Sequence, residues 1–249
     1  RLEGAARGAS PAEAAAGVDV LLVCVSDDAA VEAVLFGAGG ASGGLRPGSV
    51  VLDCSTISPA QAIHCAERLS HQGVAYLDAP VTGGTEGAKA GSLTVLVGGD
   101  ATALQQVEPV LEVIGGTVHH FGEVGRGQQV KAVNQVLVAG SYAAVAEAMA
   151  LGQRLQLPMQ QVVEALKGGA AGSWALNHRA QGMLDGNYPL GFKLALHHKD
   201  LGIALSSAGS VQLELPISRL VQQQEAELMH RGHGEEDVSA LHRLSLIHI

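Results

Sequence analysis

VDVLLVCV at residues 18–25 and SVVLDC at residues 49–54 are short, almost uninterrupted apolar runs. A strand with one face in water alternates polar and apolar residues, whereas a strand covered on both faces does not need to. Each run lies beside a helix-start signal. Ser10-Pro11-Ala12-Glu13 precedes the first and Ser58-Pro59-Ala60-Gln61 follows the second. In both, serine takes the N-cap, proline the first helical position, and an acid or amide the third. Strands separated by capped helices imply a largely parallel sheet with helices on its faces, an α/β arrangement.

The same pattern extends outward. The second box opens a helix to about Ser70, and residues 74–77 and 93–97 read as further strands. Asp100 can cap a helix to about Ile114, and residues 117–121 close the series. After Gly122 the pattern changes. From about Gly127 to Leu155 there is no proline, and alanine, valine and leucine recur with a 3.6-residue period. At ~1.5 Å per residue such a helix is about 40 Å long, enough to join two domains. Helices are expected next at 159–166, 173–184, 192–207 and 217–230, so the second half is all-α. The expected domains are residues 1–122 and 123–249.

The formal net charge of −9 argues against electrostatic capture of nucleic acid or of an anionic membrane. No uninterrupted apolar run approaches the ~18 residues of a membrane span. Cys24, Cys54 and Cys65 form no CxxC pair; Cys24 and Cys54 sit in apolar runs and read as small buried hydrophobes. A reducing cytoplasm is the expected compartment. His119-His120, His197-His198 and His230/His233 have no carboxylate or cysteine at ligand spacing, so no metal is expected.

Four stretches could carry chemistry. In GRGQQVKAVNQ (125–135), Lys131, Asn134 and Gln135 stand at i, i+3 and i+4, which puts an ammonium and two carboxamides on one helix face. The ordinary alternative is a lysine near a helix start that points into solvent. DAPVTGG (78–84) follows a strand, and Thr82, Gly83 and Gly84 can offer a hydroxyl and backbone N–H groups to an anion. Many strand-end loops have that composition. Thr56 follows Asp53-Cys54-Ser55 at a strand's carboxyl end, where ligands of open α/β sheets bind, although it can equally help start the next helix. In FKLALHHKDL (192–201), Phe192, Ala195 or Leu196, and Lys199 share a helical stripe, as simple packing also would.

Taken together, DAPVTGG, GRGQQVKAVNQ and FKLALHHKDL resemble, in order and roughly in spacing, the signature stretches of the β-hydroxyacid dehydrogenases. This family includes 3-hydroxyisobutyrate dehydrogenases and 2-hydroxy-3-oxopropionate (tartronate semialdehyde) reductases. The resemblance runs from about Ser10 to about Leu244. It implies a Rossmann-type NAD(P)-binding domain followed by a helical domain, with a long interdomain helix, and hydride transfer between NAD or NADP and a small 3-hydroxy or 3-oxo acid. By the same resemblance Lys131 is the catalytic lysine, and Asn134 and Gln135 are the carboxamides that hold lysine and substrate. Thr82, Gly83 and Gly84 bind the substrate carboxylate, with threonine where serine is commoner. Val25, Ser26 and Thr56 contact the cofactor, Lys199 lies near its nicotinamide end, and Phe192 lines the substrate pocket. A homodimer or homotetramer is implied as well. Developing charge on a carbonyl oxygen suits a nearby lysine, which stabilises it and delivers a proton. In the oxidative direction the lysine acts as base, which partial desolvation favours.

Two departures from the family shape further expectations. The family's opening strand and GxGxxG turn are not found in the sequence, and Gly37-Ala38-Gly39-Gly40 follows a helix rather than a strand. The first βαβ unit is expected to be missing, which implies weak cofactor binding and an exposed sheet edge. Residues 244–249 do not continue the pattern and read as foreign sequence. A tartronate semialdehyde type of reductase is favoured by the KAVNQ wording and by the Phe-to-Lys-Asp-Leu stretch. The alternatives are a 3-hydroxyisobutyrate dehydrogenase, a glyoxylate or succinic semialdehyde reductase, and a non-catalytic cofactor- or protein-binding relative.

Overall fold

A computed structural model describes residues 4–246. They divide into two compact units after Lys131, within one long helix.

In unit 1 the order is α1 (Pro11–Ala15), β1 (Val20–Val23), α2 (Asp28–Phe36), β2 (Val50–Asp53), α3 (Pro59–Ser70) and β3 (Ala75–Asp78). The strands pair in parallel as β1-β2-β3, with Val23, Asp53 and Asp78 on the last rung. The serine caps form as the sequence predicts: the Ser10 hydroxyl accepts the Glu13 N–H, and Ser58 that of Gln61. The return arm at Ser58 is different. Its N–H donates to Asp28 Oδ1 at 2.9 Å, and the Gln61 carboxamide donates to Glu32 at 3.1 Å, which ties α3 to α2.

Alternate residues of β2 explain the apolar runs. Val51 packs with Val31, Leu35, Ala62, Cys65 and Leu69 on one face. Val50 and Leu52 pack with Leu77, Val95, Val107 and Leu111 on the other. Every residue of β2 is therefore buried. Among the described residues β1 pairs on one side only, and Leu22 there is 44% exposed.

The rest of unit 1 is β4 (Val81–Thr82), α4 (Gly84–Ala90), β5 (Leu93–Val97), α5 (Ala101–Ile114) and β6 (Gly115–His120). The two-residue β4 was not foreseen. It pairs antiparallel with β5, which pairs parallel with β6. An antiparallel bridge between Asp78 and Gly98 joins this sheet to the first. Cys54 and Cys65 are buried, but Cys24 is exposed, against expectation, because it lies one residue beyond the covered part of β1.

The long helix, α6, spans Arg126–Arg154, and after it come α7 (Met159–Leu166), α8 (Trp174–Leu184), α9 (Leu194–Ser210), α10 (Pro216–His230) and α11 (His242–Leu246). The fold is thus a Rossmann-like α/β domain with a parallel sheet, followed by an all-helical domain that contains the long helix. In unit 2, Ala139, Tyr142, Ala146 and Met149 of α6 join a core with Leu176, Met183, Leu201 and Leu228. The opposite side of α6 is apolar too, since Val133, Leu137, Ala144, Ala148 and Leu151 are exposed. With two apolar sides, α6 is long and apolar enough by composition to cross a membrane, which single uninterrupted runs did not reveal. One side of it packs in the core of unit 2, and the other is exposed.

Two expectations need correction here. Phe192 does not lie on α9; it sits in a bend before Lys193, whose backbone is extended, and the Phe192 carbonyl accepts the Val238 N–H while the Leu194 N–H donates to the Glu236 carbonyl. Leu244 lies in α11 and packs on the unit 2 core, so the foreign reading fails there. Residues 247–249 lie outside the described residues.

Candidate active site

Unit 1 builds its polar centre from the carboxyl ends of β2 and β3. Asp53 closes β2 and accepts the Ser55 N–H at 2.9 Å and the Tyr76 hydroxyl at 2.7 Å. Asp78 closes β3 and accepts the N–H groups of Gly125 and Gln128, at 2.7 and 2.8 Å, from the start of α6. Burial pushes the Asp53 carboxyl up, against the pull of its Ser55 and Tyr76 hydrogen bonds. Burial likewise pushes Asp78 up to about 6, while its two N–H donors pull downward and Asp53 adds to the rise. The Gln128 carboxamide extends the network, donating to the Ser55 carbonyl at 2.8 Å and accepting the Ile57 N–H at 3.2 Å.

One turn further along α6, the Lys131 ammonium donates to the Val81 carbonyl at 2.9 Å. Lys131 is only 7% exposed, so the solvent-facing alternative does not hold. The carbonyl it meets immediately precedes Thr82, Gly83 and Gly84. Thr82 is half-buried, and the two glycines are exposed with φ of +129° and +64°, backbone that a side chain would strain. Unit 1 thus brings Lys131 to the loop that contains Thr82, Gly83 and Gly84.

Unit 2 assembles a second polar group. Asn134 donates to Gln135 Oε1 at 2.7 Å, and Gln135 Nε2 donates to Asp200 Oδ2 at 2.6 Å. Asp200 Oδ1 lies 2.7 Å from the Lys199 ammonium. The half-buried Phe192 sets its ring edge-on to His197 at 5.4 Å between centroids. Its backbone N–H, with that of Gly191, donates to Asp237, which also pairs with the buried Arg179.

Sequence reasoning missed Asp78, Gln128, Asp200 and Asp237. The first three lie inside the quoted stretches, but nothing in their spacing marks a carboxylate that closes a strand as the partner of a helix 47 residues away. The metal reading also passed over a carboxylate: His197 meets Glu225 at 2.5 Å, both fully buried. His197 and His198 both reach α10, the latter through the Gln222 carbonyl. Among the described residues no three His, Cys, Asp or Glu side chains gather as metal ligands. A shallow groove of about 680 Å³ beside Ile63 and Ala66 includes Glu67, Asp100 and Glu123, three carboxylates unsuited to an anionic ligand.

The cofactor positions can be judged from their donors. Val23 and Asp53 end adjacent parallel strands. Just beyond them the Val25 N–H donates to Ser55 Oγ at 2.9 Å, Ser26 is exposed and Thr56 is half-buried. The nearby Asp27 is occupied in capping α2 through the Ala30 N–H. Hydroxyls and amides at the carboxyl ends of neighbouring parallel strands suit a dinucleotide. These residues fit the group.

A Rossmann-like domain with such donors at its strand ends, followed by a helical domain, is the architecture of a nicotinamide-dependent oxidoreductase. Residues 2–122 match the family model described as the NAD binding domain of 6-phosphogluconate dehydrogenase. Residues 125–245 match the one described as NAD-binding of NADP-dependent 3-hydroxyisobutyrate dehydrogenase. L-threonate dehydrogenase of Cupriavidus necator is 38% identical over 234 residues, covering 94% of this chain and 79% of that protein. The 2-hydroxy-3-oxopropionate reductase of Escherichia coli K12 is 37% identical over 223 residues, covering 90% and 76%. The crystal structure of 3-hydroxyisobutyrate dehydrogenase from Salmonella typhimurium matches with a TM-score of 0.87 at 34% identity, covering 95% and 82%. The chain belongs to the β-hydroxyacid dehydrogenase family, whose members are NAD(P)-dependent dehydrogenases and reductases of 3-hydroxy acids.

Proposed function

We propose that the chain interconverts a small 3-oxo acid and its 3-hydroxy acid, and that the substrate is of the 2-hydroxy-3-oxopropionate type. The observation that carries this reading is the buried Lys131 ammonium, held against the Val81 carbonyl beside Thr82, Gly83 and Gly84. A bound nicotinamide supplies or accepts the hydride. Lys131 donates a proton to the oxygen as negative charge develops there, and takes it back in the oxidative direction. The Thr82 hydroxyl and the N–H groups of Gly83 and Gly84 hold the substrate carboxylate. Asn134 and Gln135 are the supporting carboxamides, and Phe192 lines the substrate pocket. Val25, Ser26, Thr56 and Lys199 contact NAD or NADP.

Support for the substrate is the KAVNQ wording and the 37% identity to a 2-hydroxy-3-oxopropionate reductase. The 34% identity to a 3-hydroxyisobutyrate dehydrogenase keeps that activity as a second reading, with a glyoxylate or succinic semialdehyde reductase as a further alternative. The domains we assign are 1–122 for cofactor and 123–249 for the helical part. The chain works in the cytoplasm, without metal, nucleic acid or membrane, and the exposed apolar side of α6 favours a homodimer or homotetramer.

Nicotinamide absorbance tests the reading. NADH and NADPH would be offered with tartronate semialdehyde, succinic semialdehyde and glyoxylate, and NAD and NADP with 3-hydroxyisobutyrate, using Lys131→Ala as control. Turnover on one substrate, lost in the variant with cofactor binding kept, supports the assignment. Undiminished kcat in Lys131→Ala refutes it. Cofactor binding with no turnover across the panel moves the reading to a non-catalytic relative.

A further inference from the structure

The N–H groups in the first turn of an α-helix have no acceptor within the helix. At α6 two of them, those of Gly125 at its threshold and Gln128, converge on one carboxylate, Asp78, with one oxygen for each. One hydrogen bond would leave the helix start free to roll about it; two bonds to a planar group fix position and roll together. Asp78 also belongs to the chain segment that reaches Val81 three residues later, and Val81 supplies the carbonyl that Lys131 meets. Both sides of the Lys131 contact are therefore referred to the same residue.

The neighbouring glycines fit this purpose. A Cβ on Gly98 would stand 2.6 Å from Asp78 Oδ1, and one on Gly127 would stand 2.9 Å from Oδ2. The same Gly127 Cβ would stand 2.3 Å from the Leu96 carbonyl. The start of α6 thus approaches β3 and β5 backbone to backbone, and only a side chain as short as aspartate fits between. The Gln128 carboxamide, bonded to Ser55 and Ile57, holds the same turn to the segment after β2.

We propose that Asp78 is the positioning residue for Lys131: its carboxylate clamps the first turn of α6 and so sets where the ammonium stands relative to the Val81–Gly84 loop. This rests on the reading of Lys131 given above. Asparagine presents one acceptor and turns an N–H₂ toward the second backbone donor, so Asp78→Asn keeps half the clamp and Asp78→Ala none.

The first test is amide hydrogen exchange on the unmodified chain. The Gly125 and Gln128 amides should be protected at the level of the helix interior, and exchange there as fast as in open first turns overturns the proposal. The second compares variants. Asp78→Asn should lower kcat about 10- to 100-fold, Asp78→Ala further, with KM and cofactor Kd changed less than about threefold. Loss of folded protein lowers only the apparent kcat, in proportion to the active fraction, so kcat is taken per cofactor-binding site titrated in each variant; a merely structural role leaves that value unchanged and gives no graded recovery with asparagine. Asp78→Asn with kcat within about twofold of the parent, beside an inactive Lys131→Ala, overturns the proposal. If Lys131→Ala stays active, the catalytic assignment falls instead, and exchange at Gly125 and Gln128 in Asp78→Asn still decides the clamp. Faster exchange there supports the clamp, and unchanged exchange overturns it.

Discussion

Alanine at Gly127 and at Gly209 is the same chemical change, made in a helix each time, and it should act with opposite sign. Neither glycine has positive φ, so intrinsic propensity favours alanine at both, by up to about 1 kcal/mol in a helix interior. At Gly209, near the end of α9, an added Cβ meets nothing within 4 Å, and a gain of about 0.5 kcal/mol should survive. At Gly127 the Cβ would lie 2.3 Å from the Leu96 carbonyl oxygen and 2.7 Å from that of Asp78. Both are backbone atoms of the sheet, so no flexible side chain can swing aside. Restoring ordinary contact requires the helix start to retreat by about 1 Å. Overpacking of this kind costs about 1–3 kcal/mol, and stretching the two Asp78 hydrogen bonds adds about 1 kcal/mol. Set against the propensity gain, the net loss is about 1–3 kcal/mol, a fall in Tm of roughly 3–10 °C in a chain of this size. Urea unfolding followed by far-UV circular dichroism, with calorimetry, measures both variants. A Gly127→Ala protein as stable as its parent would show that the backbone approach is not tight, and the reasoning would fail.

Other expectations concern buried charge and association. Replacing Glu225 by Leu leaves His197 buried without its partner and should cost about 3 kcal/mol, much of it recovered by adding His197→Phe; urea midpoints of the single and double variants decide. Asp237→Ala should cost a similar ~3 kcal/mol, because the buried Arg179 loses its ion pair with Asp237 and the Gly191 and Phe192 amides lose their acceptor; unchanged stability would refute this. Asp78 is pushed up to about 6 from an ordinary 3.8, so between these values the folded state holds more protons than the unfolded. Its contribution to stability therefore falls as pH rises through that window, by at most about 3 kcal/mol, and the parent-minus-Asp78→Asn difference in unfolding free energy should fall likewise. A rising or flat difference would contradict the sign. Leu137→Glu with Leu151→Glu should lower the mass seen by sedimentation, since both side chains lie on the exposed apolar side of α6; an unchanged mass would refute association through that side.

Much of the architecture was legible because local signals agree with the fold. Ser58 and Asp100 cap the helices that their neighbours predict, and the β2 run is apolar because both its faces are covered. Less legible was anything set by distant partners. The two residues of β4 carry no periodic signal and exist only through pairing with β5. Phe192 reads as helical by spacing, but Asp237, 45 residues later, takes its N–H and it lies in a bend before α9. Lys131 could be picked out by its neighbours, yet burial distinguishes it from an ordinary surface lysine, and burial depends on the Val81 carbonyl. Asp78 reads as the first residue of a loop after a strand, whereas it closes β3, and its partnership with α6 is visible only in three dimensions.

The unequal burial of the three thiols offers a handle for probing the protein. Cys54 and Cys65 are buried with thiols pushed up to about 12, so they resist alkylation. Cys24 is exposed, one residue before Val25, and partial burial and the nearby Asp53 hold its thiol above the ordinary value. A maleimide dye applied at mildly alkaline pH should therefore label one position, at the carboxyl end of β1. A fluorophore there would turn the strand end into an optical reporter, able to sense an arriving nucleotide without any turnover.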